Sequence, residues 1–300
     1  MNRAQLGLVW LACIGPTLAT AQQPVRYDAA GSAAAARKAQ DRKAYSIFNP
    51  TPWSEARELS TDRPDKTESP YTVPAGRVQF EIDVVNYTRD VSGTGSGRTR
   101  FESLAIAPIN MKVGLVRNVD LQLVLETYVR NRSRVLASQL TSTNSQFGEV
   151  TGRLKVNVWG NDGGKTAFGI MPFVSFVPAD GGGRYANGGV ILPLAVDLGG
   201  GFGLGTMAEI DFERGDVTGK RHTVFIHSVT VGHDLSEKVG AYAELFSGIS
   251  TETGARWVGG FNFGFTRALG ANMQLDFGAN IGLSRAADDF NPFLGLSFRF

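Results

Sequence analysis

Residues 275–300 read LDFGANIGLSRAADDFNPFLGLSFRF. From Leu275 to Leu283 every second residue is apolar (Leu275, Phe277, Ala279, Ile281, Leu283), and Asp276, Gly278, Asn280 and Gly282 sit between them. Such period-2 alternation describes a strand with one apolar face and one polar or very small face. A polar turn, 284–290, leads to a second run of the same kind, in which Leu294, Leu296, Phe298 and Phe300 alternate with Gly295, Ser297 and Arg299. The run reaches the final Phe300, where a strand of a soluble sheet would usually fray. In a membrane barrel the closing strand pairs with the first and turns its apolar side chains to lipid. The expected fold class is therefore all-β: a transmembrane antiparallel up-and-down β-barrel.

Composition agrees with this. The chain has 300 residues, a formal charge of +2, 37 glycines and one cysteine. Mean hydropathy is −0.09, and no apolar run approaches the roughly 20 residues that a membrane helix needs. A charge so near zero argues against nucleic-acid binding, which requires a basic face.

Met1–Ala21 has the form of a secretory signal peptide. Arg3 supplies the positive region, Leu6–Leu18 the apolar region, and Ala19-Thr20-Ala21 the small residues at the cleavage site, so the mature chain is expected to begin at Gln22. Cys13 falls inside the signal. A lipoprotein reading of Cys13 fits poorly, because Trp10 stands where a leucine is expected. A mature chain without cysteine excludes disulfides, thiolate catalysis and cysteine metal sites.

Residues 22–45, rich in Ala, Gln, Arg and Lys, read as a periplasmic linker. Residues 46–75 differ: Pro50, Pro52, Pro64, Pro70 and Pro74 prevent a regular helix or an inner strand. This stretch is either an extended tether or a plug folding into the barrel, with Asp62, Arg63, Asp65 and Glu68 as the plug's charged residues. Residues 76–300 form the expected barrel.

About twelve strands can be marked along that region: 77–87, 107–116, 120–129, 149–159, 165–177, 190–198, 202–212, 222–233, 239–246, 257–267 and the two at the C-terminus. Residues 88–100 and 130–147 read as long polar loops. Long and short connections alternate, as expected where outer loops exceed periplasmic turns. Aromatics collect near strand ends, with Tyr87, Tyr128, Phe212 and Trp257 toward the outside and Trp159, Phe202 and Phe300 toward the periplasm, as two interfacial girdles would require.

On the polar faces the phase places acids at Glu81, Asp83, Glu126, Asp197, Glu209, Asp211, Glu244 and Asp276, and bases at Arg77, Lys112, Arg153, Lys155 and Arg299. Tyr128 falls in the same phase as Glu126. These residues predict a wet lumen, either solvated by paired charges or serving as a polar path. About eight strands give a filled interior and 16–18 an open channel, so twelve suggests a narrow pore.

Other chemistry is poorly supported. Gly160–Thr166 (GNDGGKT) has the wrong spacing for a phosphate loop, and a strand rather than a helix follows it. Gly201–Gly205 (GFGLG) opens a strand, where small lumen-facing residues explain it better than a dinucleotide fingerprint. The histidines His222, His227 and His233 are too dispersed to share a metal. His227 and Ser228 point to opposite faces, which is poor for a base–nucleophile pair. No catalytic residue, metal or cofactor is expected.

Three motifs carry a family resemblance. They are TDRPD at Thr61–Asp65 with TESP at Thr67–Pro70 and VPAG at Val73–Gly76, then GNDGG at Gly160–Gly164, then the closing LDFGANIGLSRAADDFNP. Over residues 59–300 the chain resembles the bacterial outer-membrane "transporter" family assigned to the MetA pathway of phenol degradation. That resemblance implies an exported outer-membrane barrel whose partners are outer-membrane lipid and small solutes, with aromatic or other carbon compounds as the substrate class. The end of the chain is also similar to the signal read by the barrel-assembly machinery, with Gly295, Phe298 and Phe300 in place and Phe293 standing where a polar residue is more usual. The expected function is a channel or passive transporter. The alternative is a non-transporting barrel with a structural, adhesive or sensing role.

Overall fold

A computed structural model of the protein describes residues 44–179, 183–215 and 219–300. The expected signal peptide and residues 22–43 of the expected linker lie outside the described residues. Among the described residues fifteen strands form one antiparallel sheet. They are β1 (Val78–Ser92), β2 (Thr99–Ile106), β3 (Ile109–Val116), β4 (Val119–Leu125), β5 (Tyr128–Val135), β6 (Thr141–Gln146), β7 (Val150–Trp159), β8 (Thr166–Pro178), β9 (Arg184–Gly199), β10 (Phe202–Arg214), β11 (Arg221–Asp234), β12 (Val239–Ser250), β13 (Val258–Gly270), β14 (Met273–Gly282) and β15 (Phe290–Arg299). The sheet closes where β15 pairs with β1, with Phe80 opposite Phe298 and Gln79 opposite Arg299.

The closed ring has twelve wall positions. Three of them are filled by a pair of segments: β2 with β3, β4 with β5, and β6 with β7. The lower segments β3, β4 and β7 complete the ring. The upper segments β2, β5 and β6 extend the end of β1 into a four-stranded sheet whose edge is β6. Residues 88–100 and 130–147, expected as loops, are therefore largely strand. Their low apolar content hid them, because strands that rise beyond the apolar layer need no lipid-facing side chains.

The breaks between lower and upper segments lie level with one another. In β1 the register against β15 shifts between Asp83 and Val85. Both Val84 and Val85 are exposed, while Glu81, Asp83 and Asn86 are buried. This extra residue swaps the two faces, as a bulge must in a period-2 structure. The same swap occurs at Ala107–Pro108, at Glu126–Thr127 and at Phe147–Glu149. Tyr128, read in phase with Glu126 as inward, consequently faces out.

Burial is inverted relative to a water-soluble sheet. Lys112, Lys155, Glu81, Glu209 and Glu244 are among the largest fully buried side chains, whereas Leu245, Phe225, Phe277 and Ile249 are exposed. An apolar outer face around a polar interior is what lipid outside and water inside select. Aromatic side chains mark both ends of the wall. Trp159, Phe202 and Phe300 are exposed at the end bearing Phe300 and the short turns, and Tyr128, Phe212 and Trp257 at the other. Phe80, Phe298 and Phe300 stack at the closing seam, with centroids 5.6 and 5.7 Å from the Phe80 ring.

Candidate functional site

Residues 57–75 run through the lumen and touch wall strands all round the ring. Asp62 lies against β3 and β7: Lys155 Nζ is 2.5 Å from its Oδ1, and Lys112 pairs with its other oxygen. Its backbone N–H donates to the Glu81 carboxylate on β1 at 2.9 Å, and Lys112 Nζ is 2.5 Å from the same carboxylate. Arg63 pairs with Asp276 on β14 at 2.8 Å and with Asp83 on β1. Glu68 accepts from Arg153 on β7 at 2.7 Å. On the far wall, Thr67 donates to Glu244 on β12 at 2.6 Å, and its hydroxyl lies 2.7 Å from that of Ser228 on β11. Glu244 also accepts the Lys66 backbone N–H at 3.0 Å and the Asn262 amide on β13 at 2.5 Å. Asp65 is fully buried.

The sequence makes this threading sterically open. Proline density keeps the segment from forming a helix or strand, so its backbone groups turn to the wall for partners. The Val73 N–H donates to Asp120 on β4 at 2.9 Å, and the Asn157 amide on β7 donates to the Pro70 carbonyl at 2.9 Å. Glycines face the segment where it passes closest. A Cβ on Gly114 would lie 2.1 Å from the Pro74 carbonyl oxygen, and one on Gly295 would lie 2.1 Å from Arg63 Nη2. Phe293, the departure from the assembly signal, turns inward, with the Arg63 guanidinium 5.7 Å above its ring.

The structure buries Glu81, Asp83, Lys112, Arg153, Lys155, Glu209, Asp211, Glu244, Asp276 and Arg299 on the inward face. Two groupings emerge among them. The first is the ion-paired set around Asp62, Arg63 and Glu68. The second is Glu209 and Asp211 on β10: both Glu209 oxygens and one of Asp211 have no hydrogen-bond partner among the described residues. Beside these acids, Met171, Ile191, Met207, Val224, Ile226 and Phe246 form an apolar cluster inside the barrel. Arg299 stays near the periplasmic mouth, donating to Asn272 at 2.7 Å and to the Arg57 carbonyl at 2.8 Å. Glu126 sits on no strand; its carboxylate accepts the Glu149 N–H at the break between upper and lower segments, at 2.9 Å. Asp197 serves the β9–β10 turn by accepting the Gly199 N–H at 2.8 Å.

Sequence reading placed Asn157 on the inward face without its partner, and missed Asp120, Asn161 and Asp162. Asn161 and Asp162 belong to the GNDGG turn and anchor the segment's lower end. Asp162 pairs with Arg57 at 3.1 Å and Arg117 at 2.5 Å, and Asn161 accepts the Thr72 N–H at 3.1 Å. Their signal was the motif itself, which shares a family resemblance with the TDRPD run. His227 is exposed on the outer face and Ser228 is fully buried on the inner one, so the two are not paired. Among the described residues no group of three or more His, Cys, Asp or Glu side chains is placed to hold a metal ion.

The sequence profile of the family described as "Putative MetA-pathway of phenol degradation" matches residues 61–300. No curated protein matches the chain. Among solved structures, an outer-membrane channel from Pseudomonas putida F1 aligns with a TM-score of 0.56 at 12% identity, covering 80% of this chain and 100% of that one. The β domain of the Bordetella autotransporter BrkA aligns with a TM-score of 0.49 at 14% identity, over 75% of this chain and 98% of that one. The Ralstonia pickettii toluene transporter TbuX aligns with a TM-score of 0.43 at 10% identity, over 74% and 89%. At these identities the likeness is one of fold.

Proposed function

The chain belongs to the family described as "Putative MetA-pathway of phenol degradation", and on that premise we propose that it is an outer-membrane channel for small solutes whose lumen is closed by its own N-terminal segment. The observation that carries this reading is the seating of residues 61–73. Their charges are matched by wall side chains on opposite sides of the ring, so the segment occupies the path that a solute must take. Twelve strands enclose an interior between the filled small barrels and the open porins. With the segment in place the path is shut; displaced, it leaves a lumen polar on the β1–β7 side and apolar around Met171, Ile191, Met207 and Phe246. That mixed lining suits small amphipathic solutes, and the family's description points to aromatic carbon compounds. No catalytic step is assigned to the protein.

The test is conductance in planar bilayers, comparing the mature chain with a version lacking residues 22–74. We expect the truncated barrel to conduct steadily and the full chain to open only briefly. A truncated barrel that folds and stays silent overturns the channel reading. It would favour the second reading, a non-transporting barrel with a structural or sensing role, which draws support from the extensive ion pairing of the lumen.

A further inference from the structure

The upper sheet formed by β1, β2, β5 and β6 carries its positive charge on one face. Arg130, Arg132 and Arg134 alternate along β5, and the register sets them beside Arg100 and Glu102 on β2 and, beyond Glu102, Arg89 on β1. All five arginines share the face on which Val85, Ile106 and Tyr128 are exposed, because the bulges reverse the phase of the four strands together. The opposite face at the same level carries neutral or acidic groups: Asn86, Asp90, Ser103, Asn131 and Ser133.

Glu102 is the only acid among these outward positions. Its carboxylate accepts from the Tyr87 hydroxyl at 3.0 Å and lies 4.0 Å from Arg132, a separation that leaves much of the positive charge unmatched. Arg134 also donates to Gln139 in the adjoining turn. Arg100 stands directly opposite Arg134, and like charges so placed destabilise a sheet. An anion bridging them removes that cost.

Height identifies the anion. About ten residues of tilted strand cross the apolar layer. Counted from the turn at Arg117–Asn118, Tyr128 falls at the far edge of that layer, and Arg130, Arg132 and Arg134 lie just beyond it, at headgroup depth. Below them the same face is apolar, with Val84, Val85 and Ile106 exposed. We propose that this face is a binding site for phosphorylated lipid of the outer leaflet. Its acyl chains lie along Val84, Val85 and Ile106, and its phosphates are held by the arginines of β2 and β5. Planar guanidinium groups grip phosphate through paired N–H donors, and an aromatic at the boundary such as Tyr128 positions the headgroup. The proposal does not depend on conduction, so its failure leaves the channel reading untouched.

The test uses the full mature protein in detergent, with diphosphoryl lipid A as probe and its dephosphorylated form as comparison, read by native mass spectrometry of retained lipid. The wild type should retain the phosphorylated lipid and release the other. The triple variant R130Q/R132Q/R134Q should bind the phosphorylated lipid roughly tenfold or more weakly, given the attraction of each cation near an anionic surface. R256Q, in the β12–β13 loop, should bind as wild type. Folding is checked by heat-dependent gel migration; if the triple variant does not fold, R130Q and R132Q singly should each weaken retention. Equal retention by the variants and wild type, equal retention of both lipids, or displacement by millimolar inorganic phosphate overturns the proposal.

Discussion

Asp62 holds two ammonium groups, from Lys112 and Lys155, and all three side chains are buried. Burial works against its ionisation, yet the two lysine charges and their hydrogen bonds prevail and hold its carboxyl well below the usual range. Removing one member of such a set leaves charge without a counter-ion and typically costs about 3–5 kcal/mol. We expect Asp62→Ala to lower barrel stability by about that much, measured by denaturant unfolding, and Asp62→Ala combined with Lys155→Ala to recover part of the loss. An Asp62→Ala variant as stable as wild type would mean that water already neutralises both lysines. At this scale the sequence was partly legible. Alternation alone located Glu81, Asp83, Lys112, Arg153, Lys155 and Asp276, since an inward phase was all they required. Their partners were not legible, because pairing Arg63 with Asp276 spans most of the chain. The arginines of β5 were hidden for another reason. A single bulge reverses every later position, and its sequence traces are slight: the adjacent apolar pair Val84-Val85, Pro108 with no N–H to give, and Gly148.

The N-terminal segment has no periodicity from which its place could be read. Proline density excluded helix and strand but left both tether and plug open, because both are irregular and polar. What distinguishes them is a set of contacts with strands that follow in sequence. Glu68 makes the segment's seating dependent on pH. Burial, followed by the nearby Asp62 charge, raises its carboxyl from 4.5 to about 7 against the opposing pull of Arg153, Lys155 and Lys112. The seated segment therefore retains a proton that a released one gives up. Protons bound only in the seated state favour seating below the released-state value, and this contribution is lost as pH rises through the seated one. Release should be easier near about pH 8 than near about pH 5, read as weaker protection of residues 61–73 against hydrogen exchange relative to the intrinsic exchange rate at each pH. Glu68→Gln, which cannot titrate, should flatten the profile in that window. An unchanged slope in that variant would move the titration to another group.

At the scale of the whole molecule, alternation and turn spacing were enough to indicate a closed ring of twelve strands, because lipid outside and water inside act on every residue of every wall strand. The same physics stops acting beyond the apolar layer, which is why the upper sheet read as loop. It also fixes what opening requires. The wall cannot widen without breaking its ladder, so on the proposed reading the segment bonded to β1, β7, β12 and β14 is what moves for solute to pass. The expected mature chain carries no cysteine, so an introduced pair forms one defined bridge. Thr67 Oγ1 and Ser228 Oγ are 2.7 Å apart, joining segment to wall, and cysteines at such neighbouring positions are near the reach of a disulfide. In Thr67→Cys with Ser228→Cys, the oxidised protein should show neither openings nor solute flux in vesicles, and reduction should restore both to the level of either single variant. An oxidised protein that conducts as well as the reduced one would show that solute passes a seated segment, and the lumen would then be a fixed narrow pore rather than a gated one.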